Sequence, residues 1–243
     1  MSVSDFPGTG NAGGEPQPLD SPERDLAIWW CPLACDAAAM AARWATLSPE
    51  EVARAERFGT EALRQRYVVG RAALRWTLAQ RLGIDPAAVA IRRGERGRPM
   101  LDEGRAPDFN VTHTLGVALI AHLDRPGWRV GVDIEGVDRT LSHDALARKF
   151  LTARERGAIA ALDDDARRRA FLRLWTCKEA MSKATGDALA APFRHLDVAR
   201  EPGLALVAGP PPYAPRDWTL HAVEVPDGFI GTVALWSTDA ARP

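Results

Sequence analysis

The sequence predicts an α+β fold made of two similar halves, and three observations carry that prediction. Helical and strand-like stretches are grouped rather than strictly alternating, as expected of an α+β chain. The order short helix, long helix, strands occurs twice, a weak internal repeat. The chemically distinctive residues fall on one helix and one strand of the second copy, where a pocket between halves could draw on both.

Residues 1–23 are rich in Gly, Pro, Ser and acid and read as a disordered tail, with the halves at 24–125 and 126–240. A short apolar run, Asp25 to Trp30, suggests a strand. Ser48-Pro49-Glu50-Glu51 combines a cap, a proline at the first helical position and an acid three residues after the cap, so a helix starts there and runs to about Phe58. A longer helix follows from Glu61 to Leu82, with Leu63, Tyr67, Leu74, Leu78 and Leu82 as its apolar face and Gly83 as its stop. Strands are expected at Val89 to Arg93, Phe109 to His113 and Val117 to Leu123, with a basic, glycine-rich loop, Gly94 to Pro99, after the first.

In the second half Thr152-Ala-Arg-Glu155 is another capping box, opening a helix to about Leu162. A long helix from about Asp165 ends at Gly186, and strands are expected near His195 to Arg200, Leu204 to Ala208, Trp218 to Val225 and Phe229 to Trp236. On the long helix Trp175, Glu179 and Lys183 recur every four residues and share one face. The ordinary alternative is a solvated Glu–Lys pair, but only three of the 31 basic residues are lysines, and two of those, Lys178 and Lys183, lie here. A chain that otherwise writes arginine has kept lysine where a compact ammonium is needed. Lys178, about 100° around the helix from Glu179, reads as a structural ion-pair partner.

Trp128 to Gly136 alternates as a strand, with Val130, Val132 and Ile134 on one face and Gly131, Asp133 and Glu135 on the other. Two carboxylates held together in a sheet want a cation, and an all-oxygen donor set suits a hard ion such as Mg²⁺. Glu179 could supply a third carboxylate if the helix packs over this strand.

Gly131-Val-Asp133-Ile-Glu135, followed by Trp175-x-x-Lys178-Glu179-Ala-x-x-Lys183-x-x-Gly186, resembles the signature pair of the 4′-phosphopantetheinyl transferases, specifically the longer Sfp-type. Phe109-Asn110-Val-Thr112-His113 resembles a third family element, with Thr112 in place of Ser, and Gly97-Arg98-Pro99 a fourth, Gly-Lys-Pro. The match covers about residues 48–236. The resemblance implies a pseudo-twofold monomer with its site in the cleft between halves. It also implies Mg²⁺-dependent transfer of the 4′-phosphopantetheine of coenzyme A to a serine of an apo acyl or peptidyl carrier protein, releasing adenosine 3′,5′-bisphosphate. Asp133, Glu135 and Glu179 match the family's metal ligands and Lys183 its pyrophosphate-binding lysine. Glu179 is also the candidate base, directly or through a metal-bound water. Thr112 and His113 fall on the family's phosphate-contacting element. Arg54 and Arg93 align with cations for the 3′-phosphate, and where some relatives carry a further cation this chain has Glu51, so Arg66 or Arg71 could contribute instead. Carrier proteins are acidic around their serine, which makes Arg139, Arg148 and Lys149, flanked by Leu146 and Phe150, the expected docking patch.

With 46% hydrophobic and 26% charged residues the composition is that of a soluble globular protein. A net charge of −1 gives no reason to expect nucleic acid, and the absence of an 18-residue apolar run or a signal pattern argues against a membrane and for the cytoplasm. Cys31, Cys35 and Cys177 lack zinc-site spacing and are expected to be free thiols. Two other classes use overlapping parts: a Mg²⁺-dependent hydrolase of nucleotide pyrophosphates, and a non-catalytic module binding coenzyme A or a carrier.

Overall fold

The computed structural model describes residues 14–94, 96–102, 107–138 and 143–238. Its elements run β1 (Gln17–Leu19), β2 (Leu26–Pro32), α1 (Ala37–Trp44), α2 (Pro49–Glu56), α3 (Glu61–Leu82), β3 (Ile91–Arg93), β4 (Pro99–Leu101), β5 (Asp108–Thr114), β6 (Val117–Leu123) and β7 (Trp128–Gly136). They continue with α4 (His143–Phe150), α5 (Ala153–Ala160), α6 (Asp164–Thr185), β8 (Asp197–Ala199), β9 (Ala205–Ala208), β10 (Trp218–Val223) and β11 (Phe229–Ser237). The α+β expectation holds: every strand pairing is antiparallel, in a four-stranded sheet β1-β2-β6-β5, a three-stranded sheet β10-β11-β7 and two small ribbons, β3-β4 and β8-β9. No helix of the described residues is long and apolar enough to cross a membrane.

The elements form for the local reasons read above. Both capping boxes are closed, Ser48 with Glu51 and Thr152 with Glu155, and α3 and α6 each end on a left-handed glycine, Gly83 and Gly186. The repeat goes deeper than element order. Glu51 also takes Arg75 Nε at 2.6 Å, while Glu155 takes Lys178 Nζ at 2.7 Å. Counted back from their terminal glycines, Arg75 and Lys178 occupy the same position on the two 22-residue helices. In the pairs α2–α3 and α5–α6 alike, one glutamate thus caps the short helix and neutralises a buried cation on the long one.

Three clusters make the core. One packs α3 on β5 and β6, a second packs α6 on β10 and β11, and the third, with Leu119, Val132 and Val233, joins the two sheets. At their meeting edge, side chains of β5 take up the backbone of β7. Asp108 accepts from Val130 N–H at 2.7 Å and Asn110 from Val132 N–H at 3.0 Å. An edge strand's unpaired donors are thereby satisfied from the other sheet.

Some expectations need correction. Residues 17–19 pair with β2, so the tail expected to extend to residue 23 contains a strand; residues 1–13 lie outside the described residues. Leu63 is 46% exposed, whereas Leu74 and Leu78 are buried as expected, and α3 also buries Val68, Val69, Ala72, Ala73 and Trp76 because it is covered on more than one side. The helix α1, whose first turn is capped by Asp36 accepting from Ala39 N–H, stands where the sequence reading placed no element. The cysteines are free, with Cys31 and Cys177 buried.

Candidate functional site

Helix α6 crosses directly over β7, and Gly131 makes this possible. A Cβ there would lie 2.7 Å from Ala184 N and inside the contact radius of the Ala180 carbonyl, so only glycine lets the backbones approach this closely. Because side chains alternate along a strand, Asp133 and Glu135 share the face of Gly131 and meet the helix one and two steps further along. Lys183 Nζ stands 2.6 Å from Asp133 Oδ1, 2.9 Å from Thr112 Oγ1 and 3.3 Å from Val132 O. Thr112 donates to Asp133 Oδ1 at 3.1 Å, and Trp175 Nε1 to Glu135 Oε1 at 3.3 Å.

These residues line one cleft of about 550 Å³ bounded by Thr112, His113, Leu115, Asp133, Glu135, Trp175, Glu179 and Lys183. Leu115 projects into it from the β5–β6 turn, held at φ +44°, a conformation a leucine seldom adopts. A second cleft, of about 380 Å³, shares Val111 and His113 with the first and is lined by Arg54, Phe58, Arg66, Tyr67, Arg71 and Arg93. The structure thus brings Asp133, Glu135, Glu179, Lys183, Thr112 and His113 together, and sets Arg54 and Arg93 in the adjoining cleft.

The electrostatics of the first cleft are those of crowded acids. Burial, then Asp133, pushes the Glu179 carboxyl up to about 7, with Glu135 adding to the rise and Lys183 opposing it. Burial also raises Asp133 despite its lysine partner, and its Oδ2 is buried with no hydrogen-bond partner. Desolvation between the cleft walls, then Lys183 and Arg66, holds the His113 imidazole below the usual histidine range. Among the described residues no three His, Cys, Asp or Glu side chains are gathered as a ready-made metal site. The donor chemistry nevertheless fits a hard cation, since an orphaned carboxylate oxygen and mutually repelling acids are what such an ion relieves.

Several arginines are engaged in ways their sequence positions did not reveal. Arg71 is held by Glu51, Nε at 2.8 Å, so it is committed to that acid. Arg98 makes a bidentate pair with Asp108, and Arg96 pairs with Asp187, so the basic loop is largely neutralised. Arg54 lies over the Tyr67 ring with its Cζ 5.5 Å from the centroid, and Arg93 donates to Gly97 O. Lys178 is fully buried, donating to Glu155, Phe150 O and Phe193 O, which makes it the structural partner expected. The sequence offers no role for Asp108 and places Asn110 only within the third motif, although the alternation Asp108, Asn110, Thr112 on one strand face is a readable signal.

Comparison with known proteins agrees with this construction. Residues 129–234 match the 4′-phosphopantetheinyl transferase superfamily, and residues 29–123 match the family model described as 4′-phosphopantetheinyl transferase, N-terminal. The chain is 35% identical over 182 residues to the 4′-phosphopantetheinyl transferase HetI of Nostoc sp., covering 73% of this chain and 75% of HetI. It is 32% identical over 157 residues to a phosphopantetheinyl transferase of Thraustochytrium sp., covering 58% of this chain and 53% of that one. With Sfp of Bacillus subtilis it shares 25% identity over 152 residues, covering 63% and 66%. The chain belongs to the 4′-phosphopantetheinyl transferase family and is a transferase with coenzyme A as its co-substrate.

Proposed function

We propose that the two clefts together bind coenzyme A and Mg²⁺ and transfer 4′-phosphopantetheine to a serine of an apo acyl or peptidyl carrier protein. The observation that carries this reading is the contact of Lys183 with Asp133 and Thr112 beneath Glu179. Asp133, Glu135 and Glu179 would hold the metal, which would supply positive charge to offset that of the pyrophosphate.

The serine Oγ forms the new bond to the phosphorus bearing the pantetheine arm, and the bond from that phosphorus to the bridging oxygen breaks. Adenosine 3′,5′-bisphosphate departs. Lys183 binds the pyrophosphate and stabilises charge developing on the leaving group. Glu179 takes the serine proton as the general base. His113 and Thr112 offer hydrogen bonds to the phosphates, and Arg54 and Arg93 hold the 3′-phosphate in the adjoining cleft. For the carrier we propose docking on α4, whose Arg148 and Lys149 are exposed. Its Leu146 and Phe150 pack instead on the core, Phe150 meeting the Trp175 ring at a tilt of 52° with ring centroids 4.7 Å apart. Arg139 lies outside the described residues. We take the enzyme to act as a cytoplasmic monomer.

The deciding experiment incubates the protein with coenzyme A, Mg²⁺ and an apo carrier protein and follows the carrier's mass. A phosphopantetheine adduct that requires Mg²⁺ supports the reading. Pyrophosphate hydrolysis with an unmodified carrier would replace it with the hydrolase reading.

A further inference from the structure

We infer that Arg98 is a positioning residue for Lys183, acting through the end of α6 rather than on coenzyme A. This rests on the proposed role of Lys183 at the pyrophosphate.

From the sequence, Arg98 is one cation in a glycine-rich basic loop, a pattern that invites a phosphate. The structure turns it inward. Its side chain is 9% exposed, and its guanidinium is divided among three partners on three different elements. Nη1 and Nη2 donate to the two oxygens of Asp108 on β5 at 2.9 and 2.7 Å. Nη2 also donates to Val130 O on β7 at 2.8 Å, and Nε donates to the carbonyl of Lys183 itself at 3.0 Å. Asp108 in turn accepts from Val130 N–H.

One planar fork therefore ties the last turn of α6 to the strand that carries Asp133 and to the strand that carries Thr112. Those are the two side chains the Lys183 ammonium touches. A cation at this place also meets the partial negative charge of the helix C-terminus, where carbonyls are left without intrahelical donors. With its donors committed in this way, Arg98 has little left to offer a phosphate. A lysine could carry the charge but could not reach three separated acceptor groups in one plane.

The test uses Arg98→Lys, with Lys183→Ala and the double variant, in the full chain. The expected result is a fall of about tenfold in kcat with a smaller rise in KM that is equal for coenzyme A and 3′-dephospho-coenzyme A, because misplacing a charge at the reacting group costs turnover more than binding. The double variant should turn over no more slowly than Lys183→Ala alone, while Arg98→Lys lowers thermal stability in the wild-type and Lys183→Ala backgrounds alike. A KM rise with coenzyme A that is absent with 3′-dephospho-coenzyme A would overturn the proposal and make Arg98 a phosphate ligand. Full additivity with Lys183→Ala would also overturn it. Amide hydrogen exchange in the last turn of α6 separates this from the role of Lys183. Exchange in Arg98→Lys should be faster than in wild type even if Lys183→Ala leaves turnover intact, an outcome that would refute the catalytic reading of Lys183 alone. Unchanged exchange there would refute the clamp.

Discussion

Gly131 on β7 and Ala180 on α6 are in backbone contact, with no room for a side chain between strand and helix. The contact sets the depth at which Glu179 and Lys183 hang over Asp133. Gly131→Ala must push the helix off the strand, and overpacking of a rigid core of this kind costs at least about 2 kcal/mol. We expect a lowered denaturation midpoint together with lost transfer activity. Wild-type stability would mean that α6 can shift freely.

Glu179→Gln keeps the shape of the side chain and removes both its charge and its basicity. With three acids sharing one cleft, the amide relieves repulsion, so stability at neutral pH should be equal or higher while kcat falls by roughly a hundredfold or more. Turnover and thermal melting of the same sample check both halves of the statement.

Lys178→Met leaves the carboxylate of Glu155 buried without its cation, although Thr152 N–H and Val198 N–H still reach it. Breaking one side of a buried pair costs about 3–5 kcal/mol, so urea unfolding should show a large loss. Burial holds the Lys178 ammonium below the usual lysine range, so the pair is costly to build and costlier to break.

Acid should weaken the protein beginning near the ordinary histidine range. His122 is buried against Thr77, its Nε2 3.1 Å from the hydroxyl, and burial lowers its pKa from 6.5 to about 3, with Arg81 adding to the effect. The unfolded chain therefore binds a proton that the folded chain refuses. This contribution to stability is complete above pH 6.5 and declines as pH falls below it. Melting temperatures at pH 7.5 and 5.5 should converge in His122→Leu relative to wild type; an equal pH dependence in both would place the acid sensitivity elsewhere.

Charge reversal on α4 tests docking. Arg148→Glu with Lys149→Glu should raise the KM for an apo carrier at low salt and flatten its salt dependence, leaving the KM for coenzyme A unaltered. Carrier kinetics that ignore the change would move the docking surface away from this helix.

Much of the fold and of the site was legible because it depends on spacing along one chain. Periodicity alone determined that Glu61–Leu82 is a helix, that Trp128–Gly136 is a strand, that Asp133 and Glu135 share a face, and that Trp175, Glu179 and Lys183 form a stripe. Local hydrogen bonding determined the two capping boxes. What the tertiary structure decided is which charges are spent on one another. Glu51 takes Arg71 and Arg75, Asp108 takes Arg98, and Asn110 takes a backbone donor of the other sheet. A guanidinium on a basic loop carries the same sequence signal whether it faces a phosphate or a buried carboxylate. Burial and distance separate the two outcomes, and both arise only when strands far apart in sequence are brought edge to edge.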